Sequence, residues 1–524
     1  MTLKRIALGL LAGVAFGATA EAADIDHVLL ISVDALHALA VANYVEAHPN
    51  SALAELSEHG VTYSNARTPA NSDSFPGLLA LVTGGSPITH GLFYDVSYDR
   101  AVYDPTNVTC KAPAGNMMVF DESIDQYDNN HVSLNKIDPA KLPRVRNESG
   151  QCVALFPHNA IRTNTIFEVV KRRGGRTAWA DKHPAYDLVN GPSGTGVDDL
   201  YTPEITNVGG LDNTVSVDCT VANDQLKVAG IINEINGLKH DGSPAGGTPT
   251  VFGMNFQAVS VGQKLAHDNS DGSCPQSTHT GKPGGYLDGS GTPTEVLAFG
   301  LQKTDEALGS MIKALKQRGI YNSTLFIVSA KHGQSPINPV KINKPGHFAD
   351  LVATLPDAAT NPGGIAIASA NACSTGACGF VQDDDIALIW LQDQSKTKAV
   401  TDYLNTNAKA LFIDEVLSGD ELELKFNSPA HDSRVPDVIV QPIYGTVYTG
   451  SSKKNAEHGG MSFADTNVGL VVSNPRFPRV VLKTPVLTSQ VAPTILQALD
   501  IEPEELNSVR VEHTPVLPGM WDNR

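Results

Sequence analysis

The chain carries a series of short, almost wholly apolar runs that each end in polar or charged residues. This pattern constrains its fold more than any other feature. The first run is His27–Val33, which is followed by Asp34, and a later run at 323–329 leads to Lys331 and His332. Runs of this length are typical of strands buried on both faces of a parallel sheet. Further runs lie at 177–180, 251–261, 438–440 and 468–472.

Helical patterns separate these runs. Residues 39–60 predict two helical pieces divided near Pro49, and residues 292–318 predict one long amphipathic helix. Strands that alternate with helices favour an α/β sandwich. The polar, turn-rich stretches around 100–160 and 188–250 predict loop-rich insertions in that fold.

Residues 1–22 have the features of a secretory signal peptide. Lys4 and Arg5 form a basic start, residues 6–18 are apolar, and Ala20-Glu21-Ala22 has the form of a cleavage site. The apolar run is too short for a transmembrane helix, and no later run is long enough either. We therefore expect a protein exported to the periplasm or the medium, with no stable membrane span.

The cysteines agree with export. Six cysteines in an exported chain predict disulfide bonds. Cys373 and Cys378 enclose a short turn-rich loop and are expected to pair. The other four allow three pairings, of which Cys110 with Cys152 and Cys219 with Cys274 are the most local. The absence of Cys-x-x-Cys pairs counts against a zinc site built from cysteines.

The charge balance narrows the class of partner. The chain has 38 Lys and Arg against 56 Asp and Glu, a net charge of -18. This acidity disfavours a nucleic-acid polymer, whose phosphates need a basic surface, and it equally disfavours an anionic membrane surface. A small anionic substrate held by a metal ion remains compatible with it. The sequence carries no signal for an oligomeric state.

Four positions at predicted strand ends or turns carry chemistry: Asp34, Ser74, the Lys331–His332 pair and His458. Taken singly, Ser74 is typical of a helix N-cap and Lys331 of a surface turn. Ser74 also precedes a predicted helix, where free N–H groups and the positive helix end favour an anion and a nucleophile. Taken together, the four positions predict one site at the carboxyl edge of the sheet.

Several segments, in order along the chain, resemble one known family. Val28–Asp34 is similar to a first strand that ends in a metal-binding Asp. Ser74-Phe75-Pro76 is similar to a nucleophile segment in which Thr or Ser precedes Phe-Pro. Ser329–Gly333 and Glu457-His458-Gly459 are similar to two His-Gly metal motifs. The chain thus resembles the alkaline phosphatase superfamily, in its type I phosphodiesterase/nucleotide pyrophosphatase branch.

The resemblance implies an alkaline phosphatase-like three-layer sandwich with a central, mostly parallel sheet, formed by a catalytic domain over residues 23–524. It also implies that Ser74 is the nucleophile and that the metal ligands are Asp34, Ser74, His332 and His458. The expected cofactor is a divalent metal, zinc by the resemblance, bound as one or two ions. The expected partner is a small phosphorylated substrate.

The metal motifs depart from the family pattern. Lys331 stands where the family has Asp, and Asp95 stands where an Asn helps to bind phosphoryl oxygens. Val259 and Gln263 stand where an Asp and a His supply ligands. Two closed zinc sites cannot be assembled from the matching positions. Candidate replacement ligands elsewhere are Asp73, Asp181, His183 and Asp437.

Lys331 is predicted to be catalytic, as a positive charge that stands in for a missing cation near the phosphoryl oxygens. A single ion on Asp34, His332 and Ser74 would then complete the site, as single-metal sulfatases with nearby lysines suggest by analogy. The polar segments Asn255-Phe256-Gln257 and Asp181-Lys182-His183-Pro184, next to apolar runs, are expected to line the cleft and to offer hydrogen-bond donors to a substrate.

The predicted function is an exported hydrolase of phosphate diesters or pyrophosphates, with metal assistance and a phosphoserine intermediate on Ser74. One alternative is a sulfatase- or phosphatase-like hydrolase of the same superfamily. The other is a binding protein that kept the fold but lost its metals and its catalysis. Ser74 together with Asp34 favours an enzyme, whereas Val259 favours the binding protein.

Overall fold

The computed structural model describes residues 25–206, 211–370 and 378–520, so the predicted signal peptide lies outside the described residues. Strands and α-helices in the described part are numbered in chain order. The strands are β1 (His27–Val33), β2 (Gly60–Tyr63), β3 (Ala66–Arg67), β4 (Val96–Asp99), β5 (Asn116–Val119), β6 (Asp125–Tyr127), β7 (Ser133–Ile137), β8 (Arg144–Arg146), β9 (Cys152–Ala154), β10 (Thr177–Ala180), β11 (Asp199–Tyr201), β12 (Val251–Phe256), β13 (Thr324–Ser329), β14 (Phe380–Asp383), β15 (Ala387–Trp390), β16 (Ile413–Ser418), β17 (Val438–Pro442), β18 (Val471–Ser473), β19 (Val480–Leu482) and β20 (Val486–Leu487).

The helices confirm the predicted helical segments, with a break near Pro49 and one long helix that begins at Glu295. The α-helices are α1 (Ala38–Ala47), α2 (Ala52–Glu58), α3 (Ser74–Thr83), α4 (Pro87–His90), α5 (Pro157–Ala160), α6 (Ile166–Arg172), α7 (Val217–Ile235), α8 (Ala258–Lys264), α9 (Glu295–Arg318), α10 (Phe348–Ala353), α11 (Pro362–Ala370), α12 (Thr397–Thr406), α13 (Gly419–Glu423), α14 (Phe463–Thr466), α15 (Val491–Ala498) and α16 (Asn507–Glu512). Within the described ranges, no helix is both long and apolar enough to cross a membrane.

An eight-stranded sheet in the order β11-β10-β12-β1-β13-β18-β2-β19 forms the centre of the molecule. Strand β1 lies between β12 and β13 and is parallel to both, with Val28 opposite Val251 and Leu325. Strand β18, which corresponds to the predicted run at 468–472, is antiparallel to its two neighbours. The expected α/β fold with a mostly parallel sheet is confirmed.

The side chains of β1 divide between two apolar cores. Val28 and Leu30 pack in the core that contains the apolar residues of α3, while Leu29 and Ile31 pack in the core that contains those of α9. Successive side chains of a strand point to opposite faces of the sheet, so a strand covered by helices on both sides is apolar throughout. This arrangement is the expected three-layer sandwich.

The apolar run at 438–440 does form a strand, but that strand is not part of the central sheet as the pattern predicted. It is β17, in a separate antiparallel sheet of order β14-β15-β17-β16. That sheet has its own apolar core, which includes Phe348 and Val400. An apolar run identifies a buried strand, whereas contacts with distant segments decide which sheet the strand joins.

The two predicted insertions differ in structure. The stretch around 100–160 contains strands of three small antiparallel pairs, β4–β5, β6–β7 and β8–β9. The stretch around 188–250 contains β11, at the edge of the central sheet, and the helix α7, which packs against α9. The domain limits, including the start at residue 23, stay a prediction.

The disulfide bonds follow the local pairing. Cys110 is bonded to Cys152, and Cys219 is bonded to Cys274, as predicted. Cys373 lies outside the described residues, so its predicted bond to Cys378 stays a prediction.

Helix α3 approaches the end of β13 unusually closely, at Gly77. A Cβ atom added to Gly77 would lie 1.8 Å from the backbone oxygen of Lys331. A glycine at this position therefore lets the first turn of α3 lie against Lys331 and His332, the residues that follow β13.

We expect Gly77→Ala to lower the free energy of unfolding by roughly 1–3 kcal/mol, because the new methyl group collides with rigid backbone. Urea unfolding provides the measurement. Gly309→Ala on α9 is the matched control: its Cβ would meet Ala52 at 3.7 Å, an ordinary contact. The control should gain up to about 1 kcal/mol, as alanine does over glycine within a helix. A loss of the same size in both variants would contradict this account.

Candidate active site

Four neighbouring parallel strands, β10, β12, β1 and β13, end at one edge of the central sheet. The carboxyl edge of a parallel sheet is where ligands bind in open α/β folds. The polar residues that follow these strands are Asp181 and Lys182 after β10, Gln257 after β12, Asp34 after β1, and Lys331 and His332 after β13. Helix α3 begins beside them, with Ser74 as its first residue.

Ser74 and His332 form a hydrogen-bonded pair, with 3.3 Å between Oγ of Ser74 and Nε2 of His332. Nδ1 of His332 lies 2.8 Å from the carbonyl oxygen of Gly333, an acceptor, which assigns the proton to Nδ1. Nε2 is then free to accept from the Ser74 hydroxyl. Burial lowers the pKa of His332, which favours this neutral form.

Ser74 is not the N-cap of α3. Asp73 caps the helix instead, because its carboxylate accepts a hydrogen bond from the backbone N–H of Phe75 at 3.3 Å. The interpretation of Ser74, taken singly, as the N-cap of α3 is therefore wrong. Its hydroxyl is directed at His332 rather than at the helix.

Asp34 is fully buried next to this pair. Its Oδ2 atom lies 3.8 Å from Nε2 of His332 and 3.2 Å from Nζ of Lys182. Burial alone would raise the pKa of Asp34, but attraction to Lys331 and Lys182 outweighs burial and holds that pKa well below its ordinary value. Asp34 is therefore a carboxylate at neutral pH.

Lys331 is a buried cation rather than a surface lysine. Its Nζ donates to both oxygens of Asp181, at 3.0 and 3.1 Å, and neither side chain is exposed. Nζ also lies 3.8 Å from the centre of the Tyr186 ring, a cation–π contact. Burial lowers the pKa of Lys331 to about 8, against the opposing attraction of Asp181, so the ammonium form prevails at neutral pH.

Lys182 is the second buried cation, and it belongs to the polar segment 181–184 that was expected to line the cleft. Its Nζ lies 3.2 Å from Oδ2 of Asp34 and donates to Oε1 of Gln257 at 3.1 Å. Burial lowers the pKa of Lys182, but attraction to Asp34 and Asp181 raises it above its ordinary value. A lysine that directly follows an apolar strand and a buried Asp was the available signal for this role.

His458 also lies in this site, as predicted from the sequence. The centre of its ring is 4.0 Å from the centre of the His332 ring, and its Nδ1 is 3.3 Å from Oδ2 of Asp73. Burial lowers the pKa of His458 well below its ordinary value, and the nearby His332 and Lys264 lower it further. The structure thus brings Asp34, Ser74, Lys331, His332 and His458 together.

Val259 and Gln263, which the resemblance places at metal-ligand positions, make structural contacts. Val259 is fully buried in the apolar core of the α9 side of the sheet. Gln263 donates from Nε2 to the backbone oxygen of Ala35, at 2.8 Å, and to the hydroxyl of Tyr286, at 3.1 Å. Gln263 therefore stabilises the turn after β1 and is not a ligand facing Ser74.

Two of the candidate replacement ligands are engaged elsewhere. Nδ1 of His183 lies 2.7 Å from Oε1 of Glu204, and this pair lies beside the β6–β7 hairpin. Asp437 is paired with Arg100, beside the second sheet.

The donor set does not fit a divalent ion. Among the residues that the structure describes, no three His, Cys, Asp or Glu side chains are grouped so as to hold a metal. Both oxygens of Asp181 face Lys331, and Oδ2 of Asp34 faces Lys182. Three donor atoms of the site are buried without a hydrogen-bond partner: Oδ1 of Asp34, Oδ2 of Asp73 and Nδ1 of His458. The last two face each other at 3.3 Å, and the three are not grouped as the three or four protein ligands typical of zinc are.

The site is nearly closed to solvent. Ser74 is 3% exposed, and His332 is fully buried. The slightly exposed groups are Lys182, Gln257 and His458, so a ligand would approach from their side. A cavity of about 850 Å³ lies between α1, α2 and β2 and contains none of these residues.

We expect Lys331→Met to lower the free energy of unfolding by about 3–5 kcal/mol, because it leaves the buried Asp181 carboxylate without its cation. Lys331→Met combined with Asp181→Leu should recover most of this loss, since neither charge then remains buried. Urea unfolding of the single and double variants measures the coupling. Lys398→Met, in the exposed pair with Asp402, is the control and should cost less than about 1 kcal/mol. Additive losses would contradict a buried ion pair.

Solved structures of two proteins share this fold at low sequence identity. Murine ectonucleotide pyrophosphatase / phosphodiesterase 5 superposes with a TM-score of 0.54 at 15% identity, covering 91% of this chain and 96% of that chain. Its inactive variant in complex with AMP gives a TM-score of 0.52 at 14% identity, with the same coverage of 91% and 96%. Wild-type alkaline phosphatase PafA gives 0.55 at 12% identity, again covering 91% and 96%. These likenesses confirm the fold.

The family assignment rests on the sequence. No curated protein matches the chain. The family described as type I phosphodiesterase / nucleotide pyrophosphatase matches residues 28–125 and 287–464, which together are more than half of the chain. The matched segments contain Asp34, Ser74, His332 and His458, the positions that carried the resemblance. The chain therefore belongs to the type I phosphodiesterase / nucleotide pyrophosphatase family of phosphoric ester hydrolases.

Proposed function

We propose that this chain is an exported hydrolase of small phosphate diesters or pyrophosphates, with Ser74 as its nucleophile. The observation that carries the proposal is the contact of 3.3 Å between Oγ of Ser74 and Nε2 of His332. A serine hydroxyl is a weak nucleophile unless a base takes its proton. The neutral His332 ring, oriented by Gly333, supplies such a base.

In the proposed reaction, Oγ of Ser74 attacks phosphorus while its proton passes to Nε2 of His332. The bond from phosphorus to the leaving oxygen breaks. In a pyrophosphate, the leaving phosphate departs as an anion and His332 releases its proton to solvent. In a diester, the leaving alkoxide takes that proton from His332 and departs as an alcohol. Water then attacks phosphorus of the phosphoserine while its proton passes to Nε2 of His332. The bond from phosphorus to Oγ breaks, His332 returns the proton to Oγ of Ser74, and the phosphoryl product is released.

The charges around Ser74 support an anionic substrate. The ammonium groups of Lys182 and Lys331 lie at this edge of the sheet, and the first N–H groups of α3 add positive potential. The murine relative in complex with AMP makes nucleotides our candidate substrates. Family membership implies use of a divalent metal, but the expected zinc ions are not part of the proposed steps because the donors do not fit them.

Export is part of the proposal. Disulfide bonds are typical of oxidising compartments, and two of them are present among the described residues. Together with the predicted signal peptide at residues 1–22, they support a periplasmic or secreted protein.

A binding protein without catalysis is the second candidate. The observation that favours it is the closure of the site, in which Asp34, Lys331 and His332 are all fully buried. Such a protein would hold a phosphorylated ligand near Ser74 without turning it over.

We expect Ser74→Ala to lower the rate of hydrolysis of bis(4-nitrophenyl) phosphate by about 10³-fold or more, as removal of a nucleophile does in other hydrolases. Acid quenching followed by peptide mass spectrometry should find the phosphoryl group on Ser74 in the wild type. Ser310→Ala, at an exposed position of α9, is the matched control and should keep full activity. Equal rates for wild type and Ser74→Ala would remove Ser74 from the mechanism, and no turnover by the wild type would favour the binding protein.

We expect His332→Gln to lower kcat by about 10²–10⁴-fold, the usual contribution of a general base. Steady-state assays with the same diester measure the loss, and circular dichroism confirms that the variant is folded. Added imidazole should restore part of the lost rate. An unchanged kcat would show that His332 does not take the proton of Ser74.

A further inference from the structure

We infer that the ammonium groups of Lys182 and Lys331 take the place of metal cations in this site, which therefore binds a phosphoryl anion without a divalent ion. The inference deepens the proposed function, since it names what holds the substrate, but its test does not depend on turnover.

Two buried carboxylates at this edge of the sheet are each paired with a lysine. Asp34 and Asp181 are the acidic groups at the ends of β1 and β10, and both are fully buried. Each already has a cation: Nζ of Lys182 lies 3.2 Å from Asp34, and Nζ of Lys331 lies 3.0 Å from Asp181. Pairing with an ammonium ion weakens the attraction of each carboxylate for a metal ion, and only Oδ1 of Asp34 is left without a partner.

The two lysines would repel a divalent ion. A divalent ion at Asp34 would lie next to the ammonium groups of Lys182 and Lys331, both of which interact electrostatically with that carboxylate. Like charges at such short range repel strongly inside a protein, where water screens them poorly. Zinc would therefore have to displace a lysine that is itself held by Gln257 or by Asp181.

Val259 and Gln263 stand at two positions where the resemblance places metal ligands. Val259 packs in an apolar core, and Gln263 is hydrogen-bonded to Ala35 and Tyr286. These side chains are fully engaged in the fold. The region around Val259 and Gln263 is therefore held by packing and hydrogen bonds, and it is not a metal site that lacks a single ligand.

Lys182 has an N–H donor available for a phosphoryl anion. An ammonium group has three N–H donors. The hydrogen bonds that the structure shows for Lys182 go to Asp34 and Gln257, which leaves one donor for a phosphoryl oxygen. Lys182 is also on the slightly exposed side of the site, with 11% of its side chain accessible. It is therefore the cation that an entering anion meets first.

The experiment uses the purified full protein after dialysis against a chelator, with isothermal titration by inorganic phosphate, Zn²⁺ alone, and inorganic phosphate in the presence of EDTA. We expect inorganic phosphate to bind equally well with and without EDTA, and the wild type to bind Zn²⁺ weakly. Lys331→Asp should bind Zn²⁺ tighter by about tenfold or more, because it removes a buried cation and leaves Asp181 unpaired. Elemental analysis of the same samples gives the zinc content per chain.

Lys398→Asp, at an exposed position of α12, is the matched control for the added carboxylate and should leave Zn²⁺ affinity unchanged. If Lys331→Asp does not fold, Lys182→Ala exposes the Asp34 carboxylate and should show the same gain. Stoichiometric zinc retained by the wild type, or failure of inorganic phosphate to bind the metal-free protein or the protein in EDTA, would overturn the inference. Neither result bears on Ser74, whose role the Ser74→Ala comparison tests separately.

Discussion

Two buried ion pairs connect the carboxyl ends of strands that are not all neighbours in the sheet. Lys331, after β13, reaches Asp181, after β10, although β1 and β12 lie between these strands. Lys182, also after β10, reaches Asp34, after β1. Because a buried charge without its partner is costly, these pairs hold all four residues in place. These two ion pairs therefore fix the residues at the edge of the sheet where Ser74 and His332 lie.

Ser74, the proposed nucleophile, owes its place to a close contact of backbones. Helix α3 lies against the end of β13 at Gly77, where a side chain would not fit, and its first residue therefore meets the ring of His332. Asp73 takes over the capping of α3, which leaves the Ser74 hydroxyl available. Packing, capping and the orientation of His332 by Gly333 thus act together on one oxygen atom.

Family membership and the chemistry of this particular site need to be kept apart. The matched segments, residues 28–125 and 287–464, leave out the stretch that carries Lys182, Val259 and Gln263. Within the matched part, Lys331 stands where the resemblance leads us to expect an Asp. The chain thus shares the fold and the family of phosphoric ester hydrolases, while Ser74 is proposed as the nucleophile and lysines are proposed as the cations around the phosphoryl position.

The sequence by itself determined the α/β sandwich, the strand that ends at Asp34 and the family, and it left three pairings open for the four cysteines that form the two disulfide bonds of the structure. These features depend on local patterns: apolar runs, residue spacing and short motifs. It also identified the residues that meet at the site, since parallel strands present their carboxyl ends at one edge. Tertiary structure alone decided that β17 joins a second sheet, that Asp73 rather than Ser74 caps α3, and that Lys182 and Lys331 pair with Asp34 and Asp181. Those outcomes depend on contacts between residues far apart in the chain, and no local pattern encodes which buried charge will find which partner.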